Sequence, residues 1–202
     1  MTIAVGVFEL FTYAIPGSLY VTLLTYIATR AHWMDLAAML RSPAFLLVIA
    51  VVLLSYLLGY LAYPLGLLAH KIVPKRRKRN AREEFLRRNP AAKGRPFTKA
   101  DPFLLLAAIQ LQDQEVGADA SRVRATGLML RNCAPPVFFG AVTAIVELIV
   151  GRNAVAAISC AVLFLVSSIA LVVQGRMLTH WASLRTFEVA FWIPEIDDKF
   201  RP

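Results

Sequence analysis

The chain has 202 residues, 58% of them hydrophobic, with a mean hydropathy of +0.60. Soluble domains run near about 45–50% apolar, so membrane residence is the class to test first, and an ordinary soluble enzyme fits poorly. A net charge of +9 would direct a soluble chain toward nucleic acid or an anionic surface, whereas in a membrane chain it sets orientation.

The first apolar stretch, Ile3 to Thr29, has neither a basic lead nor a small-residue cleavage site after it. It reads as a retained span and not a signal peptide. A hydrocarbon core of roughly 30 Å needs only about 20 helical residues, so this helix must tilt or protrude. Pro16 and Gly17 stand at its middle and predict a kink or a break into two half-helices. Glu9 lies about two turns in, where an ionisable group is costly and so a functional candidate. The simpler reading pairs it with the interface, His70 or Lys71.

Trp33 suits the interface in the short connection that follows, and Pro43 opens the second helix where a missing N–H costs least. The second span, Ala44 to His70, carries Ser55, Gly59, Ala62 and Gly66 on one stripe. Small residues so placed let another helix approach closely, and a narrow pore lining would use the same set. Pro64 predicts a bend at the inner end.

Residues 71–134 form a basic middle segment with 15 Lys or Arg against six acids. Its most charged run is Lys75, Arg76, Arg77, Lys78 and Arg79, expected within a helix from Lys75 to Arg88 that Asn89-Pro90 stops. That run is a candidate contact for lipid or a partner. Ala91 to Lys99 reads as a loop. Asp101-Pro102 is an N-cap followed by proline at the first helical position. The Phe103 to Ile109 run is too short to span and fits a buried or interfacial helix, which Gly117 ends. Ser121 starts a further helix toward Asn132, before Pro135-Pro136.

The third span, Pro136 to Val150, has only about 15 residues, and is either short and tilted, extended by the preceding turn, or re-entrant. Gly140 and Ala144 make a small-xxx-small pair. Glu147, near the far end, is expected to pair with Arg152 or else to lie on an ion or proton path. Ala154 to Val173 is the fourth span. The tail to Pro202 holds an amphipathic helix with Met177, Trp181, Leu184, Phe187 and Phe191 on one side and Arg176, His180, Ser183 and Arg185 on the other. Its acidic end could meet the basic run.

The middle segment and tail carry 19 Lys or Arg, and the two short connections carry three, Arg30, Arg41 and Arg152. The positive-inside rule therefore predicts a cytoplasmic middle and cytoplasmic termini. The expected fold is an all-α integral membrane protein with four transmembrane helices. Its segments are 1–70 (helices 1 and 2), 71–134 (a basic cytoplasmic helical module), 135–173 (helices 3 and 4) and 174–202 (an amphipathic tail).

No phosphate loop, HExxH, nucleophile elbow or metal-spaced His and Cys set occurs in the sequence. Cys133 and Cys160 have no CxxC spacing. The reading is therefore non-enzymatic, with no cofactor, metal or catalytic residue assigned. Phe85 and Phe97 are the only aromatics between Ile72 and Pro102, too few for the interleaved stacking of a nucleic-acid groove. Attraction to anionic lipid accounts for the charge more simply.

The opening Phe8-Glu9-Leu10-Phe11-Thr12-Tyr13-Ala14-Ile15-Pro16-Gly17 resembles the first span of small bacterial inner-membrane proteins. Some of these are similar to membrane components encoded in antiphage defence operons. The resemblance implies a protein that senses or damages the inner membrane when a cytoplasmic partner changes state. The leading expectation is thus a homo-oligomeric membrane effector or sensor associating through its small-residue stripes. The alternatives are an anchor that recruits a soluble cytoplasmic partner, and a small channel or transporter subunit using Glu9 and Glu147.

Overall fold

The structure, a computed structural model, describes residues 2–35, 41, 43–74, 80–150 and 153–200, with backbone alone for 2–9 and 11. Its helices are α1 (Thr2–Arg30), α2 (Ala44–Leu61), α3 (Tyr63–Ile72), α4 (Ala81–Arg88), α5 (Pro102–Gln112), α6 (Gln114–Ile149) and α7 (Ala154–Trp192). Short 3-10 turns join α4 to α5 and follow α7, and no strand occurs among the described residues. The chain divides into two units. The first holds residues 1–74 and 128–175, the second 75–127 and 176–202.

Among the described residues three helices, not four, are long and apolar enough to cross a membrane: α2, α6 and α7. They are compatible with a multi-pass membrane protein. The 29-residue α1 is not among them.

In the first unit α1 lies against α2 at backbone contact. A Cβ on Gly17 would fall on the Ser55 carbonyl, and one on Gly59 would fall on the Tyr13 carbonyl. Ser55, Gly59, Ala62 and Gly66 are all buried, while Phe45, Leu53, Leu57 and Leu61 on α2 are more than half exposed. The small-residue stripe is therefore used inside the chain, and the surrounding face is the kind that lipid covers. Tyr13 packs its ring on Tyr56 and Tyr60 beside this contact.

Several elements differ from expectation, each for a backbone reason. Helix α1 continues through Pro16 without the break into two half-helices, one of the two expectations there, and the Pro16 ring is fully buried. The Ala44 to His70 segment is interrupted at Ala62, next to the bend expected at Pro64, which has no N–H for the Tyr60 carbonyl. Gly117 does not end a helix. Asp113 ends α5 and its carboxylate accepts from the N–H groups of Glu115 and Val116, starting α6 at once. Helix α6 then continues 36 residues through Pro135 and Pro136, so the short third span recruits the turns before it. The fourth span and the tail helix are likewise one 39-residue helix, α7. Helix α4 begins at Ala81, with the Asn80 side chain accepting from the Arg82 N–H. Residues Lys75 to Arg79 lie outside the described residues.

The second unit is built on an aromatic core. Phe85, Phe97 and Phe187 are fully buried together with Leu105, Ile109 and Ile196. Phe85 stacks on Phe187 at 5.7 Å and meets Phe97 edge-on at 6.1 Å. Arg95 closes this core. It donates to the Asp197 carboxylate at 2.6 Å and the Phe191 carbonyl at 3.1 Å, and its guanidinium lies over the Phe97 and Phe191 rings. The acidic end thus binds Arg95, and Asp197 also accepts from the Phe97 N–H. The sides of the tail helix also differ from the amphipathic reading. Trp181 is half exposed, whereas the His180 ring is covered and meets Glu84 at 2.8 Å.

Phe187→Ala should cost the second unit about 3–5 kcal/mol through the cavity it leaves. Protease cleavage between α4 and α5 in the purified full chain, followed against denaturant, measures this.

Candidate functional site

The first unit concentrates its polar chemistry at the middle of α6. Asn132, Cys133, Ala134, Pro135 and Pro136 are all buried. Pro135 and Pro136 bring no N–H, so the carbonyls of Arg131 and Asn132 lose their helical donors. The Ser168 hydroxyl from α7 donates to the neighbouring Ala134 carbonyl at 3.0 Å. Neighbouring hydroxyls of this sort are what let proline persist inside membrane helices. Asn132 presses on Gly66 of α3, where a Cβ would collide with its amide oxygen. Arg131 lays its guanidinium over the Tyr63 ring at 5.0 Å.

These groups are under-satisfied. Both amide atoms of Asn132, only 1% exposed, have no hydrogen-bond partner among the described residues. The same holds for the Nε and Nη2 of Arg131, the Tyr20 hydroxyl and the Ser55 hydroxyl. A buried polar group left alone costs about 1–3 kcal/mol, and native interiors carry few such groups. Their occurrence in one unit marks a place where the packing is not at its polar optimum.

A second polar site lies at the far ends of α1 and α6. Arg30 Nε donates to Glu147 Oε1 at 2.5 Å and Nη2 to Oε2 at 3.0 Å, a two-pronged pair, and the Tyr26 hydroxyl donates to the same carboxylate at 3.3 Å. Glu147 therefore pairs with Arg30, and the expected partner Arg152 lies outside the described residues. The turn after α1 sets this up. His32 takes a left-handed φ of 58°, letting its N–H reach the Thr29 carbonyl and the Trp33 N–H reach that of Ala28. No glycine marks this cap, so the sequence offered no signal for it. Between the two polar sites runs an apolar cavity of about 380 Å³, walled by Leu19, Leu23 and Tyr26 of α1, Pro136 and Gly140 of α6, and Phe164 of α7. Gly140 would bring a Cβ to 3.2 Å from the Phe164 ring, and Ala144 lines the same cavity.

The second unit has a cavity of about 550 Å³, with Val116, Val189, Trp192 and Ile193 beside Asn89, Asp113, Arg185 and Glu188. Its charges are mutually matched, since Arg185 and Arg88 both approach Glu188. Glu84 is held below its ordinary value, chiefly by the His180 hydrogen bond, which outweighs the opposing effect of burial, with Arg88 adding to the lowering. No group of three or more metal-ligating side chains occurs among the described residues.

The structure thus draws Glu147, Gly140 and Ala144 to α6, with Pro16, Gly17, Ser55 and Gly59 at the α1–α2 contact. The Glu9 side chain and Lys75 to Arg79 lie outside the described residues. Asn132, Tyr20 and Ser168 went unnoticed in the sequence because polar residues at helix ends and in apolar runs carry no periodic signal. Comparison with protein-family models, with characterised proteins and with solved structures gives no match to this chain.

Two outcomes follow. Glu147→Gln should lower the melting temperature of the purified protein, and the exchanged pair Arg30→Glu with Glu147→Arg should restore most of it, as read by scanning fluorimetry. A carboxylate held below its usual pKa, about 4.3, contributes stability above that value and loses it as pH falls through the lowered one. Protection of the α4 amides, taken relative to their intrinsic exchange rate, should therefore fall as pH drops below the ordinary carboxylate range in the native chain and not in Glu84→Gln.

Proposed function

We propose that the chain is a four-span protein of a bacterial inner membrane. In this reading α1 joins α2, α6 and α7 as a span, with the second unit and both termini on the cytoplasmic side. Its support is the 29-residue length of α1 and its backbone-close contact with α2. The distribution of 19 Lys and Arg against three across the connections gives the orientation.

Within that frame the protein acts as a non-enzymatic sensor or effector whose spans exist in two packings. The observation carrying this is the set of unpartnered buried polar groups around Asn132. A second arrangement that gives Asn132 and Tyr20 partners would lie close in energy, and a signal favouring one packing would shift the population. Helices α6 and α7 each contribute residues to both units without a break. A ligand of the second unit that alters either helix therefore has a covalent route to the spans. Self-association, if the mechanism uses it, would involve the exposed apolar faces and not the Ser55 to Gly66 stripe.

Recruitment of a soluble partner is the second reading, favoured by the separate aromatic core and the Trp192 cavity. A channel or transporter role for Glu147 has less support, since its carboxylate is engaged by Arg30 and Tyr26.

Cells expressing the protein with its genomic neighbours should depolarise on induction, as reported by a potential-sensitive dye. Asn132→Leu, which removes the unpaired amide, should reduce that response at least about tenfold, the effect of roughly 1.4 kcal/mol on a two-state balance. A membrane potential unchanged under every inducing condition would remove the effector reading and leave recruitment.

A further inference from the structure

Arg131 carries a charge that its own unit leaves unanswered. Its guanidinium lies over the Tyr63 ring at 5.0 Å, and its Nε and Nη2 are buried with no hydrogen-bond partner among the described residues. Those two nitrogens form one edge of the guanidinium, the same edge that Arg30 turns on the Glu147 carboxylate. Arg131 takes part in no ion pair among the described residues. The sequence gives the first unit three acids, Glu9, Asp35 and Glu147. Glu147 stands sixteen residues further along α6, about 24 Å at 1.5 Å per residue. Asp35 follows the end of α1 whose Arg30 holds Glu147. The Glu9 side chain lies outside the described residues.

Asn132 meets the same face of α3. Its amide oxygen lies against Gly66, and Gly66 and Tyr63 are three residues apart on one helix, hence on one face. Both of its amide atoms also lack partners among the described residues. The two side chains therefore offer a planar fork and an amide donor, with positive charge and no carboxylate. A metal cation is repelled by that set. A carboxylate would occupy the fork alone, whereas a phosphate fills it in a parallel pair and has oxygens left for the amide. Tyr63, 40% exposed, provides the cover, since its ring lies on the guanidinium.

We infer that Arg131 and Asn132 bind a phosphate group, carried by a phospholipid headgroup or free in solution, and that the site opens when the Tyr63 ring swings aside. The bound oxyanion supplies the charge partner that the fork lacks and the acceptor that the Asn132 amide lacks. This stands on the geometry of the first unit alone and does not require the membrane reading above.

The test melts the full chain, purified in a phosphate-free nonionic detergent, with three probes at constant ionic strength. These are inorganic phosphate, dihexanoyl phosphatidylglycerol, and dihexanoylglycerol, which has the same tails and no phosphate. A ligand held by the folded state raises the melting temperature with its concentration. Dihexanoylglycerol should have no effect. A rise with phosphatidylglycerol alone assigns the site to a headgroup, and a rise with inorganic phosphate assigns it to the free ion as well. Arg131→Lys, which keeps the charge and loses the fork, should weaken the apparent Kd about tenfold. Tyr63→Ala, which removes the cover, should tighten it about threefold. With no probe present, Arg131→Gln should melt no more than about 3 °C below the native chain, since it removes an unpaired charge. A larger drop means an internal counter-ion, with Glu9 the first to examine, and overturns the site. Silence of both phosphate probes overturns it too. An equal rise in Arg131→Lys is stabilisation by salt only, with the same consequence. Binding no tighter in Tyr63→Ala overturns the covering role of the ring.

Discussion

The first unit depends on a five-residue stretch of α6 with no open side. Asn132 to Pro136 are all buried, with Gly66 of α3 against Asn132 and Ser168 of α7 bonded to the Ala134 carbonyl. A backbone that deeply enclosed must satisfy its polar groups within the chain. Two prolines there remove two donors and leave carbonyls to be met from outside the helix. Ser168 meets one neighbouring acceptor, and Asn132 remains unmatched. The same constraint explains the glycines. Helices come within backbone contact at Gly17 and Gly59, where the chain has no room for even one carbon more, and at Gly66 the space is taken by the Asn132 amide.

The second unit is held by different physics. Its stability comes from stacked phenylalanines and from the Arg95–Asp197 pair, which joins residues 102 positions apart in sequence. Arg95 donates to a carboxylate and a carbonyl and covers two rings. Loss of its planar fork would open both the polar and the apolar side of that corner. A lysine would retain the charge and lose the geometry.

The parts readable from sequence are those with a strong local signal. Asp101 before Pro102 is a helix start by rule, and the structure has its carboxylate on the Phe103 N–H. Long apolar runs give membrane-length helices by count. The local rules misled where tertiary burial outweighs them. Gly117 and Pro135-Pro136 read as stops, yet α6 passes through all three. Asp113 caps its start, and the two prolines sit inside the continuous, buried stretch Asn132 to Pro136. His180 read as solvent-facing because its burial depends on Glu84, nearly a hundred residues away.

Composition, run length and charge asymmetry therefore determine on their own that this is a helical chain with membrane-length segments and a basic middle. These properties follow from solvent transfer and local backbone preference, which act residue by residue. Only the tertiary structure decided the partner of Glu147, the use of the small-residue stripe within the chain, and the orphaned polar groups beside Pro135. Each of these depends on which distant helix arrives at a given face. The basic run, conspicuous in the sequence, belongs to the second unit, whose helix α5 is apolar on two sides.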